Sequence, residues 1–126
     1  MNTNYPVGDF LIRVKNSAMA GNKKMSAPLT KQVAAAASAL SKAGFLDAVK
    51  KEKNTIEVSL AFRDKKPVIM NITLITKPGR RIYLKASEIA KKRGPSQYLI
   101  STPGGILMSK EAVKKNQGGE IIAEIW

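Results

Sequence analysis

"QYLISTPGGILMS", residues 97–109, is the stretch that decides how the C-terminal part of this chain folds. Aromatic and β-branched residues, which favour strands, stand on one side of a proline and two glycines, and three apolar residues stand on the other. Proline and glycine are the strongest local signals for a turn. We therefore predict a strand over 97–102, a turn at 103–105 and a second strand over 106–108.

The corner between these two strands carries groups that suit a polar ligand. Ser101 and Thr102 each offer a hydroxyl that donates and accepts hydrogen bonds. Gly104 and Gly105 have no side chain, so a partner could approach the backbone closely. Such a corner suits sugars, phosphates or unstacked bases, although an ordinary hairpin turn would have the same composition. The stretch matches neither G-x-x-x-x-G-K-[ST] nor G-x-G-x-x-G, so it is not a phosphate-binding loop of those types.

The surrounding residues extend this pattern into a small, mostly β unit. "IYL" (82–84) predicts a short strand, and Ser87 and Glu88 open a short helix. Ser109 is predicted to cap a short basic helix that ends at Lys115. "EIIAEIW" (120–126) then predicts the last strand, after a glycine turn.

The first 45 residues predict two helices. Apolar residues recur at helical spacing in the first of them: Val7, Phe10, Leu11, Val14 and Ala18. The second helix, within 29–45, is rich in alanine, with Thr30 as its predicted N-cap and Gly44 at its C-terminus. Four small or apolar residues are expected to face inward from it: Val33, Ala36, Ala37 and Leu40.

Two strand patterns follow, and they complete the predicted architecture. "TIEVSLAF" (55–62) alternates apolar and polar residues, and "VIMNITLIT" (68–76) is a β-branched run. We predict that they form an antiparallel hairpin beneath the helices. The fold class is therefore α+β: an N-terminal two-helix unit on a small antiparallel sheet, residues 1–76, followed by a C-terminal mostly β unit with short helices, residues 77–126.

The charge of the chain predicts a polyanionic partner. The 126 residues contain 22 Lys and Arg but only 9 Asp and Glu, a formal net charge of +13. Ten of these basic residues and two acidic ones lie between Lys77 and Lys115. Nucleic acid is the first candidate partner and an anionic membrane surface the second. A membrane-bound helix needs bulky apolar residues, whereas the second predicted helix has alanine, so we expect no membrane partner.

The residue types needed for most catalysis are absent from the sequence. The chain has no histidine and no cysteine, which excludes Ser-His-Asp triads, thiol catalysis and Cys-ligated zinc. The nine carboxylates show no pairing typical of acid–base chemistry. We therefore expect a protein that is not an enzyme, with no metal, cofactor or small-molecule substrate.

Two further groups of residues are candidates for phosphate or base contact. The turn "KPGRR" (77–81) projects Arg80 and Arg81, and Arg81 would share a strand face with Tyr83. A cation beside an aromatic ring suits phosphate contact with base stacking, although Tyr83 could instead be a core residue with its hydroxyl at the rim. On the first helix, Arg13 lies off the apolar stripe, where a solvated face is the alternative to an RNA contact.

Several motifs together resemble the protein-eight family of the small ribosomal subunit. They occur in family order and spacing: "GDFLIRVKNS" (8–17), "LSKAGFLDAV" (40–49), "KPGRRIY" (77–83), "ISTPGG" (100–105), "KEAVKK" (110–115), "GGE" (118–120) and "EIW" (124–126). Three residues depart from the family pattern. Pro103 stands where serine is usual, Gly104 where a basic or polar residue is common, and Arg80 where leucine is usual.

The resemblance implies a function and a set of contacts. Members of that family bind the central domain of small-subunit ribosomal RNA during assembly, at an irregular helix and largely through the C-terminal unit. The residues that the resemblance places at RNA are Arg80, Arg81, Tyr83, Ser101, Thr102, Gly104, Gly105, Lys110, Lys114, Gly118, Gly119 and Glu120, with Arg13 and Asn16 toward a second RNA segment.

The resemblance also implies neighbours and a location. It predicts a monomer within the cytoplasmic ribosome, next to small-subunit proteins five and two, and leaves an organellar ribosome open. Two alternatives remain at this point. The chain could repress translation by binding its own messenger RNA, or it could be a generic basic nucleic-acid-binding protein.

Overall fold

The computed structural model describes residues 6–75, 79, 81–91 and 94–126. The chain divides into two compact units, Met1–Asn71 and Ile72–Trp126. Helices and antiparallel sheets occur together, with the helical pair near the N-terminus and the strands predominating near the C-terminus. The predicted α+β class is therefore confirmed. The boundary predicted between residues 76 and 77 lies outside the described residues.

The N-terminal unit contains two helices and a three-stranded antiparallel sheet. Its elements are α1 (Pro6–Met19), β1 (Lys24–Pro28), α2 (Lys31–Lys42), β2 (Leu46–Lys51), β3 (Thr55–Leu60), β4 (Phe62–Arg63) and β5 (Lys66–Pro67). The sheet order is β1-β3-β2, while β4 and β5 form a separate two-stranded hairpin. α1 packs against β1 and α2 against β2. The apolar stripes predicted for both helices are buried, as the helical periodicity requires.

Thr30 caps α2 as the sequence predicts. Its backbone is extended, and its Oγ1 accepts a hydrogen bond of 3.1 Å from the Val33 N–H. This bond satisfies one of the N–H groups that have no partner within the helix. Gly44, just beyond the last turn, has a φ of +89°, the left-handed conformation that ends helices and that glycine adopts without strain.

Replacing the cap should have a measurable cost. We expect Thr30→Ala to lower the free energy of unfolding by about 1 kcal/mol, because the Val33 N–H loses its acceptor. Urea denaturation measures this loss, and Ser38→Ala, at an exposed position of the same helix, is the matched control. Equal stability of the two variants would show that the cap contributes nothing.

The predicted hairpin of 55–62 with 68–76 is wrong. β3 pairs with β1 on one side and with β2 on the other, so neither edge remains for a further strand. Within 68–76, Ile72–Leu74 forms β6 and belongs to the sheet of the other unit. β2 was not predicted, because its residues are mostly exposed and a bulge between Leu46 and Ala48 breaks the apolar alternation.

The C-terminal unit is a five-stranded antiparallel sheet with two short helices. Its elements are β6 (Ile72–Leu74), β7 (Tyr83–Leu84), α3 (Ala86–Ala90), β8 (Gln97–Thr102), β9 (Gly105–Met108), α4 (Ser109–Lys114) and β10 (Gly119–Ile125). The order is β6-β10-β8-β9, and β7 also pairs with β10. The strand–turn–strand predicted for 97–108 is confirmed. Ser109 is the first residue of α4 rather than its cap, which is Met108, and its hydroxyl accepts from the Tyr98 N–H at 3.2 Å.

One apolar cluster fixes which way this sheet faces. Ile100, Leu107 and Ile121 stand opposite one another on three neighbouring strands. They pack with Ile89 of α3 and Ala112 of α4. Because successive side chains of a strand point to opposite faces, the residues next to these three point away from the helices. In the part of the chain that the structure describes, no helix is long and apolar enough to cross a membrane.

Candidate nucleic-acid interface

Four side chains form a row across the sheet face opposite the helices. Tyr83 of β7 pairs with Glu120 of β10, Glu120 pairs with Ser101 of β8, and Ser101 pairs with Ile106 of β9. We call Tyr83, Glu120, Ser101 and Ile106 the outer row. Tyr83, Ser101 and Glu120 were predicted as RNA-binding residues. The first and the last of them are 37 positions apart in the chain. Only the strand pairing brings them together.

The tyrosine end of the outer row is open to solvent. Tyr83 is 62% exposed, so it is not a core residue and its ring is available for stacking. Arg81 Nε lies 3.9 Å from Glu120 Oε2, and the arginine side chain is 70% exposed. An ion pair this exposed contributes little stability, so the guanidinium can exchange its carboxylate for a phosphate. A cation, an acceptor and an aromatic ring thus lie side by side.

The two hydroxyls of the turn have different environments. Thr102 Oγ1 is 2.7 Å from the Gly105 carbonyl oxygen and 3.0 Å from Gln117 Oε1, and it accepts from the Gly104 N–H at 3.2 Å. Its single proton can serve one of those two acceptors at a time. The Ser101 hydroxyl has no hydrogen-bond partner among the described residues. Thr102 therefore organises the turn, while Ser101 presents an unused donor and acceptor.

The glycines near the outer row allow close contacts within this chain. A Cβ at Gly119 would meet the carbonyl oxygen of Ser101, and one at Gly118 would meet the backbone of residues 84–86, including the Lys85 Cα at 2.8 Å. Gly105 has a φ of +115°, which other residues rarely adopt. Gly118 and Gly119 are needed for the strand pairing, a role that their sequence does not indicate, and Gly105 is needed for the predicted turn.

A cleft adjoins the tyrosine end of the outer row. Its volume is about 550 Å³, and its walls include Tyr83, Lys85, Asn116 and Gly118. Its two charged lining residues, Lys85 and Glu88, have opposite sign, so the cleft has no net charge. Among the residues that the structure describes, no cluster of three or more acidic side chains could hold a metal ion.

Comparison with known proteins assigns the family. The family model of ribosomal protein S8 matches residues 5–126. The chain belongs to the ribosomal protein S8 family. Similar curated proteins, all named small ribosomal subunit protein uS8, include that of Oleidesulfovibrio alaskensis, 35% identical over 96% of this chain and 97% of the relative. The relative from Nitratidesulfovibrio vulgaris is 34% identical, also over 96% of this chain and 97% of the relative. The relative from Roseiflexus castenholzii is 35% identical over the full length of this chain and of the relative.

Membership of the ribosomal protein S8 family decides the general class of function. Proteins of this family are structural components of the small ribosomal subunit, so this chain is not an enzyme and is located in the ribosome. The family resemblance predicted from the motifs is confirmed over nearly the whole chain. The absence of histidine and cysteine agrees with this class.

Two predicted contact residues of the C-terminal unit lie on the face of the sheet opposite the outer row. Lys110 and Lys114 are exposed on α4, which covers the opposite face of the sheet. Arg13 and Asn16 are exposed on α1 of the N-terminal unit, where Arg13 Nε pairs with Asp9 Oδ2 at 3.1 Å. Arg80 lies outside the described residues. Within the C-terminal unit of this S8-family chain, the lysines of α4 and the outer row therefore lie on opposite faces of the sheet.

One polar residue of this region, Gln117, was not predicted from the sequence. Its Oε1 accepts from the Thr102 hydroxyl and lies 2.6 Å from where a Cβ at Gly104 would be, although Gln117 is 15 and 13 positions from these residues in the chain. The pattern of residues 110–120 marks a helix, a turn and a strand, but it contains no signal for where this side chain points.

Proposed function

We propose that this chain binds the central domain of small-subunit ribosomal RNA and stabilises its folded form within the subunit. The observation that carries the proposal is the outer row, which aligns an exposed ring, a carboxylate and an unused hydroxyl on one face of the sheet. Family membership supports ribosomal RNA as the ligand. The positive charge of the chain supplies the general attraction to phosphates.

The chemistry of the outer row suits an irregular RNA helix. Regular A-form RNA closes its major groove to side chains, and its shallow minor groove shows 2′-hydroxyls and base edges. Neighbouring strands are about 4.8 Å apart, so Tyr83 and Ser101, two strands apart, are separated by about 10 Å. One distorted RNA segment can therefore stack a base on Tyr83 and hydrogen-bond to Ser101. Glu120 accepts from a base N–H or a 2′-OH between them.

Each predicted contact residue has a place in this proposal. Ser101, Tyr83 and Glu120 discriminate between RNAs, and Thr102, Gly104 and Gly105 shape the turn beside them. Gly118 and Gly119 hold the strands at the required separation. The basic residues neutralise phosphates: Arg80, Arg81, Lys110 and Lys114 around the C-terminal unit, and Arg13 with Asn16 at a second RNA segment. Small-subunit proteins five and two are the proposed protein neighbours, in a cytoplasmic ribosome.

Ser101→Ala tests the proposal directly. The variant loses one or two hydrogen bonds to RNA, each worth about 0.5–1.5 kcal/mol, so we expect affinity for a central-domain fragment to fall roughly tenfold. Affinity for a fully paired duplex of equal length should not change, because no charge is lost. Filter binding or isothermal titration measures both affinities.

The controls separate a wrong site from a wrong function. Ser38→Ala, exposed on α2, should bind both RNAs like the parent. If the parent itself binds the central-domain fragment no better than the duplex, the proposed function fails. If the parent discriminates and Ser101→Ala discriminates equally well, the hydroxyl of Ser101 is not part of recognition.

A further inference from the structure

The side chain of Gln117 is anchored at the turn that follows β8. Its Oε1 lies 3.0 Å from Thr102 Oγ1. Its backbone N–H donates to the Ala112 carbonyl at 2.9 Å, which ties residue 117 to the end of α4. Asn116 just before it has a φ of +55°, and this left-handed residue turns the chain back toward the sheet. Gln117 is thus held at its backbone, and also at its amide when the Thr102 hydroxyl donates to Oε1 instead of to the Gly105 carbonyl.

The amide of Gln117 occupies the place that a side chain at position 104 would need. A Cβ built on Gly104 would lie 2.6 Å from Gln117 Oε1 and 3.1 Å from its Nε2. Within the turn at residues 103–105, neither proline nor glycine offers a polar side chain. The amide of Gln117 therefore supplies the polar side-chain group beside Gly104, from a distant part of the chain.

The nitrogen side of this amide has unused donors. Oε1 faces the Thr102 hydroxyl, and the two N–H groups on Nε2 have no acceptor among the described residues. Gln117 is only half-buried, so these donors can be reached from outside. A polar group that is ordered at one end and unpaired at the other is suited to read a ligand, because little conformational entropy is lost on binding.

We propose that Gln117 is a specificity-determining residue, whose amide N–H donates to a hydrogen-bond acceptor in the minor groove of the bound RNA. The inference rests on the proposed function, and it adds a residue that lies beyond the turn and the outer row. The acceptor is a ribose 2′-OH or the edge of a base, both of which the minor groove exposes. Thr102 positions this amide rather than contacting RNA itself.

Gln117→Leu removes the donor and keeps a side chain of similar size. We expect affinity for the central-domain fragment to fall about three- to tenfold, the effect of one hydrogen bond, with no change for a fully paired duplex. Gln32→Leu, exposed on α2, is the matched control and should bind like the parent. Equal unfolding of parent and Gln117→Leu in urea, followed by Trp126 fluorescence, excludes a loss of folding as the cause.

Gly104→Ala supplies a second, independent test. Its Cβ should displace the amide of Gln117, so this variant should lose the same affinity as Gln117→Leu. The affinity of the double variant should then equal that of either single variant, because both changes remove the same contact. If the two losses multiply instead, the positions act independently and the proposal fails.

Single 2′-deoxy and single-base substitutions in the RNA identify the acceptor. If it is a 2′-OH, one 2′-deoxy nucleotide weakens binding of the parent but not of Gln117→Leu. If the acceptor is a base edge, one base substitution weakens binding of the parent but not of Gln117→Leu, and no 2′-deoxy substitution has this effect. If no nucleotide substitution weakens the parent without weakening Gln117→Leu, the proposed role of Gln117 is wrong. The proposed function still holds in that case if the parent prefers the central-domain fragment to the duplex.

Discussion

Gly119→Ala is expected to lower the free energy of unfolding of the C-terminal unit by about 2–3 kcal/mol, a large share of the stability of a small domain. The added methyl would meet the carbonyl oxygen of Ser101, a backbone atom of β8. A backbone atom cannot rotate away as the end of a side chain can, so the two strands must separate. β10 also pairs with β6 and β7, and the strain therefore reaches three neighbours.

Gly118→Ala should have a similar effect for the same reason. Its methyl would meet backbone atoms of residues 84–86, where β7 leads into α3. Both changes alter the distance between Tyr83 and Ser101, so binding to the central-domain RNA should weaken together with stability.

The single tryptophan of the chain makes this prediction measurable. Trp126 directly follows β10, so its fluorescence in urea reports unfolding of the C-terminal unit. Gly104→Ala is the matched control, because its methyl meets only the flexible end of Gln117, and we expect its denaturation midpoint to stay near that of the parent. If Gly119→Ala has the same denaturation midpoint as the parent, the close approach of β8 and β10 at this position does not require glycine.

Affinity for the central-domain RNA fragment should fall about 10²–10³-fold as monovalent salt rises from about 50 to about 200 mM. The exposed cations of the C-terminal unit include Arg81, Lys85, Lys91, Lys110 and Lys114. Each phosphate contact contributes roughly 0.7–0.9 to the slope of log affinity against log salt, and four to six contacts give a slope of about 3–5. Titrations at several salt concentrations measure this slope.

Two variants separate charge from recognition in this experiment. Lys114→Ala should weaken binding to every RNA by a similar factor and lower the slope by about one, because one phosphate contact is lost. Ser101→Ala should change the preference for the central-domain fragment and leave the slope unaltered. A parent slope below about one would contradict a binding mode based on many phosphate contacts.

Local elements of this fold could be predicted because neighbouring residues determine them. The stripe of α1, the Thr30 cap and the turn at 103–105 each depend on residues within about one helical turn or one hairpin. The family motifs likewise predicted the class of protein, and the amino-acid composition excluded histidine- and cysteine-based catalysis. The helical stripe, the cap and the turn do not depend on how the helices and strands are packed, because helical periodicity, capping and turn chemistry act over a few residues.

Tertiary structure alone decided which strands pair and which polar groups remain free. Ile72–Leu74 is as apolar as a hairpin partner of β3 would be, yet it pairs with β10, because β1 and β2 already occupy both edges of β3. Ser101 and Thr102 are adjacent hydroxyls in the sequence, but the fold directs Gln117 and the Gly105 carbonyl to Thr102 only. Contacts between distant residues depend on the simultaneous packing of the whole unit, and a single sequence records the residues without recording which of them meet.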